Sequence, residues 1–129
     1  MALPAMPHPH LIVLRSTATI VLSALIAQAG WASAFLGGEP RYLRHHQVGA
    51  LVTLAVCVAS ALVYLLLRRS AGPVNVVLAV LVAVLAGVQY ALGEASAVAV
   101  HIFLGILLAM TGTALTSWTY RHRMPVDSP

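Results

Sequence analysis

Two histidines at matched positions carry the chemistry that this sequence offers. The first stands in His45-His46-Gln47-Val48-Gly49 and the second in His101-Ile102-Phe103-Leu104-Gly105, so that each begins an H-x-x-x-G pattern at the mouth of an apolar run. An ionisable side chain entering lipid is expensive and marks a functional site by default. Two imidazoles at equal depth on separate helices can supply the two axial nitrogens of one flat macrocycle. The expected ligand is therefore a haem b, bound by His45 and His101. It would be held without a covalent link, because the only cysteine, Cys57, provides no CxxCH attachment motif.

The residues around the pair fill out that expectation. Gly49 and Gly105 lie one turn below the histidines on the same helical face, where a missing side chain would leave room for a porphyrin edge. Arg44, next to His45, and Arg41 are candidates to pair with the propionates, since guanidinium and carboxylate match geometrically. His46 competes with its neighbour for the first ligand position. Adjacent helical residues point about 100° apart, so both cannot face one metal. A gap-free slide of the chain by 56 positions pairs His45 with His101, Gly37 with Gly93 and Gly49 with Gly105. That slide favours His45 and leaves His46 as the alternative ligand.

Composition defines the elements that must hold these groups. Of 129 residues, 60% are hydrophobic and 8% charged, which is the composition of an integral membrane protein rather than a soluble domain. The apolar residues fall into four runs, 11–36, 48–67, 74–92 and 97–118, each long enough to cross a hydrocarbon core of about 30 Å. Backbone in lipid must satisfy its own hydrogen bonds, so the runs are helices. Gly37-Gly38-Glu39-Pro40, Arg68 to Pro73 and Gly93 to Ser96 are short connections, which make neighbouring helices antiparallel. The expected fold is all-α, an up-down-up-down four-helix bundle over residues 11–123, made of two tandem hairpins. Residues 1–10 and 124–129 read as proline-rich tails, with His8 and His10 in the first and His122 as a solvated group just before the second. A signal peptide ending near Ala29 is the rival for the first run. The apolar stretch continues through Trp31, Phe35 and Leu36, and that favours a span.

Arginine supplies all of the positive charge, and the net value is +4. Arg15, Arg68, Arg69, Arg121 and Arg123 fall at one end of the spans and Arg41 and Arg44 at the other, which places both termini in the cytoplasm of a bacterial cell. There is no basic stripe of the kind that tracks nucleic acid.

On these residues the chain resembles one half of a haem A synthase. That family pairs histidines at the outer side of a four-helix bundle, on its second and fourth helices. His45 and His101 carry the likeness, together with Gln28-Ala29-Gly30-Trp31 and Ala86-Gly87-Val88-Gln89-Tyr90 on the odd helices. The chain is similar also to small four-helix membrane proteins of actinobacteria with the same paired H-x-x-x-G. The synthase has a glutamate one turn before a histidine of its catalytic half, where this chain has Tyr42 and Arg41. The resemblance thus implies a haem site more than a methyl-oxidising reaction. With both axial positions filled, the expected role is electron transfer by a b-type cytochrome. A quinol or another membrane redox subunit is its expected partner, within a homo- or hetero-oligomer. A cofactor-free accessory subunit and a haem- or quinone-modifying enzyme are the other two classes.

Overall fold

A computed structural model describes residues 6–124 of the chain. They are all-helical, with helices α1 (Pro9–Leu36), α2 (Tyr42–Leu66), α3 (Arg68–Ala71), α4 (Pro73–Glu94) and α5 (Val98–Arg121). Four of them, α1, α2, α4 and α5, are long and apolar enough to cross a membrane. The one-turn α3 sits inside the connection between the second and third spans. Gly72 ends it at φ +77°, a conformation that side chains disfavour, and Pro73 starts α4 at once. The helices overrun the apolar stretches: α1 starts at Pro9 with His8 as its cap, and α2 starts at Tyr42, so both of its histidines are helical. Residues 1–5 and 125–129, most of the two expected tails, lie outside the described residues.

α1 packs on α2 and α5, and α4 packs on the same two helices. The bundle is therefore a square in which α1 opposes α4 and α2 opposes α5. Its outer faces are apolar: Ile20, Leu62, Val77 and Phe103 are all more than half exposed. In water that surface would aggregate, whereas in lipid it is the expected solvent contact. The chain is a multi-pass membrane protein.

The inward faces follow a repeat of seven. On α1 the buried residues are Leu14, Ala18, Val21 and Leu25, and on α4 they are Asn75, Ala79, Val82 and Ala86. On α2 they include Thr53, Cys57, Ser60 and Tyr64, and on α5 they are Leu108, Gly112, Leu115 and Thr119. Alternating steps of four and three are the seam of left-handed helix packing. The two halves correspond residue for residue, but not in the register of 56. α1 and α4 match at an offset of 61, as in Val21 and Val82, and α2 and α5 at 55, as in Thr53 and Leu108. The connection explains the difference, because it is longer in the first hairpin. Eighteen positions separate Gln28 from His46, and twelve separate Gln89 from His101. No single slide can fit both helices of a hairpin whose turn has changed length.

At the end that carries the chain termini, the core closes with polar groups. The Tyr64 hydroxyl, fully buried, lies 2.7 Å from Thr119 Oγ1 and 3.1 Å from the Leu14 carbonyl, and Thr119 donates to Asn75 Oδ1 at 3.3 Å. His10 and His122 are not free solvated groups. They bind Ser70 at its hydroxyl (2.7 Å) and its carbonyl (2.8 Å), and so tie α1 and the end of α5 to α3.

Candidate functional site

Continuing the seam outwards by one more repeat gives the site. Seven residues beyond Val21 and Val82 stand Gln28 and Gln89, and seven before Thr53 and Leu108 stand His46 and His101. One layer of the bundle thus consists of two glutamines on one diagonal and two histidines on the other. His46 and His101 face each other across the axis with ring centroids 6.0 Å apart and planes at 86°.

Both rings are fixed in the same way. His46 Nδ1 lies 3.3 Å from the Gln28 carbonyl and His101 Nδ1 lies 2.9 Å from the Gln89 carbonyl. A carbonyl only accepts, so each Nδ1 carries a proton and donates it, which leaves Nε2 as the nitrogen whose lone pair the neutral ring can offer. That is the tautomer and orientation in which histidine serves as a metal ligand, with the second nitrogen held by a backbone acceptor. Gln89 adds a bond from Nε2 to the His101 carbonyl at 2.8 Å. A Cβ on Gly93 would stand 3.1 Å from His101 Cε1, so that glycine lets the ring lie close against the end of α4.

The next layer down holds Leu25, Ala50, Ala86 and Gly105, three of them without bulk. It lines a cavity of about 840 Å³ that includes both histidines and opens between α1 and α5. Beside it, three polar atoms are packed out of reach of solvent and have no hydrogen-bond partner: both amide atoms of Gln28, which lies against Gly49, and Oε1 of Gln89, which lies against Gly105. Buried polar groups normally have a hydrogen-bond partner, so these three are exceptions within the helix contacts that border the cavity.

His46, not His45, shares the axis with His101. His45 is exposed on the α1–α2 side, its Nδ1 bonded to the Arg41 carbonyl of its own helix at 3.1 Å and its ring 6.1 Å from that of Trp31. It borders a separate groove of about 540 Å³ with Arg44, Val48 and Gly49. Arg44 is exposed there, and Arg41 reaches Glu39 (3.6 Å) and the Tyr42 ring (5.0 Å), so neither arginine enters the histidine layer. Gly49 and Gly105 also have another neighbour than the expected one. A Cβ at Gly49 would strike the Gln28 amide and the Trp31 ring, and one at Gly105 would stand 2.9 Å from Gln89 Nε2. The two glycines admit the glutamine side chains.

The sequence read one residue at a time undervalues Gln28 and Gln89. Their signal is the seven-residue step from buried Val21 and Val82. Among the described residues no three His, Cys, Asp or Glu side chains gather, and the nitrogen donors that face each other are the two rings of His46 and His101. Comparison with family models, with curated proteins and with solved structures returned no match.

Proposed function

We propose that the protein is a small b-type cytochrome of the bacterial cytoplasmic membrane, with one haem b between His46 and His101. The observation that carries this is the ring pair itself. Two iron–nitrogen bonds of about 2 Å, plus the distance from each nitrogen to its ring centre, require centroids about 6 Å apart. The two rings stand at 6.0 Å with their Nδ1 edges tied back. The small residues Ala50 and Ala86 beside the cavity leave space for a macrocycle. With both axial positions filled, the group supplies one-electron transfer and leaves no coordination site for a substrate. The chain's own part is to orient the imidazoles, keep water from the apolar pocket and set the depth of the site. Arginine placement supports a topology with both termini in the cytoplasm and the histidine layer near the outer face. The electron partner is a quinol or another membrane redox subunit.

Protein purified from haem-replete cells should show a sharp b-type α band when reduced with dithionite, and a pyridine haemochrome should count one haem per chain. His46→Ala and His101→Ala should each lose the band, while His45→Ala keeps it. A folded but colourless wild type, or full haem in both of the first two variants, overturns the assignment and leaves a cofactor-free accessory subunit.

A further inference from the structure

The second groove, of about 540 Å³, runs between α1 and α2 and is separate from the histidine layer. Arg44, Val48 and Val52 follow one another at steps of four along its α2 wall, and Ala24, Ala27 and Trp31 form the wall on α1. α2 has 25 residues, about 38 Å at the rise of a helix, against a hydrocarbon core of about 30 Å. Side chains lean toward the start of their helix, so Arg44 in the first turn reaches for the headgroup layer while Val48 and Val52 border acyl chains. The groove is thus cationic at its mouth and apolar along its length.

Charge at the mouth selects an anion. Arg41 is held by Glu39 at 3.6 Å, the one ion pair among the described residues, and by the Tyr42 ring. Arg44 borders the groove and has no carboxylate beside it. A phosphate diester supplies that counter-charge, whereas a zwitterionic head group brings an ammonium of its own. His45 adds a second criterion. Its Nδ1 is committed to the Arg41 carbonyl at 3.1 Å, which leaves Nε2 as an acceptor on a ring that borders the same groove. An acceptor beside a cation suits a head group with hydroxyls next to its phosphate, the pattern of a glycerol head. We propose that the groove between α1 and α2 binds one phosphatidylglycerol molecule. Its phosphate meets Arg44, a glycerol hydroxyl donates to His45 Nε2, and one acyl chain lies along Ala27 and Val52.

This site does not rest on the cytochrome proposal. His45 borders this groove and His46 the other cavity, so lipid and haem have different places and either can fail alone. The arginines at the opposite end of the bundle attract anionic lipid too, so the test has to report where the lipid lies.

The test uses the full chain in phosphatidylcholine nanodiscs that carry a trace of phosphatidylglycerol with a diazirine in its acyl chain. After irradiation, peptide mass spectrometry should find label on the walls of the groove, at residues 24–31 and 48–53. Unlabelled phosphatidylglycerol should compete about fivefold better than phosphatidylcholine, the size of one charge-assisted contact near a surface. Phosphatidylethanol has the same charge and no hydroxyl on its head group, and should fall between the two. Arg44→Gln should bring phosphatidylglycerol down to the level of phosphatidylcholine, and His45→Ala should bring it down to that of phosphatidylethanol. Ala27→Phe fills the groove, keeps both polar contacts and should lower the label on α2. Circular dichroism shows that each variant is folded, and if Ala27→Phe is not, the two exposed polar positions decide. Equal competition by all three lipids, which is the behaviour of bulk bilayer, would overturn the proposal. So would phosphatidylethanol equal to phosphatidylglycerol, an unchanged preference in folded Arg44→Gln, label confined to the opposite end of the bundle, or a second copy of the chain cross-linked into the groove.

Discussion

The difference between His45 and His46 turns on one torsional step of a helix. Both are in α2, both donate from Nδ1 to a backbone carbonyl, and both keep Nε2 free. His45 bonds to its own helix and faces outwards, whereas His46 bonds to α1 and faces the axis. Their chemistry is equal and their surroundings are not. The same holds for the hydroxyl groups. Thr17, Thr19, Thr111 and Thr113 bond to the carbonyl four residues back, which satisfies them at no cost to packing. Tyr64 is different, since its hydroxyl joins α2 to α1 and α5 from a fully buried position. Tyr64→Phe keeps the ring and should cost about 1 kcal/mol, with Thr119 left only its longer bond to Asn75. Reversible unfolding in mixed micelles measures that loss. Because the histidine layer is at the opposite end of the bundle, haem content should stay as in wild type.

Along the helices, the organising quantity is the seven-residue seam. At the waist of the bundle it brings together Ala18, Cys57, Ala79 and Gly112, four small residues at most 1% exposed where an exposure is given. Without apolar driving force between helices in lipid, small residues at the contact allow close packing. A Cβ on Gly112 would already stand 2.5 Å from Leu25 Cδ1. Gly112→Leu should therefore overpack the α1–α5 contact and cost about 1–3 kcal/mol, read as a lower thermal midpoint by circular dichroism in detergent. A midpoint at or above the wild-type value would show that the waist has slack. The spans themselves were legible in the sequence, since four apolar runs separated by Gly, Pro and Arg leave little choice. The seam was not, because in a chain of Ala, Val and Leu the inward and outward faces are equally apolar. Leu14 is buried and Leu62 faces out, and nothing in the residue type separates them. Only the polar members, Gln28, Thr53, Ser60, Asn75, Gln89 and Thr119, mark the inner face. Reading the repeat without a gap set α2 and α5 one residue out of register, and one residue is the whole difference between His45 and His46.

At the scale of the molecule, four antiparallel spans put both termini on one side, and the charge distribution selects which side that is. Five arginines, Arg15, Arg68, Arg69, Arg121 and Arg123, sit at the terminal end, where the Ser70 carbonyl and hydroxyl also anchor His122 and His10. Two, Arg41 and Arg44, sit beside the histidine layer. Cationic loops are favoured on the cytoplasmic side, so this arginine bias would turn the proposed site toward the outer surface. The chain makes this easy to test, because its only cysteine, Cys57, is completely buried and will not report. A cysteine introduced into either exposed connection then labels alone. In intact cells a membrane-impermeant maleimide should modify Ala95→Cys, in the turn between α4 and α5, and spare Arg69→Cys, in α3. After the membrane is opened with detergent, both should react. The reverse pattern in intact cells would invert the topology, move the histidine layer to the cytoplasmic side and require the electron partner to be sought there, while leaving the bundle and its ring pair as they are.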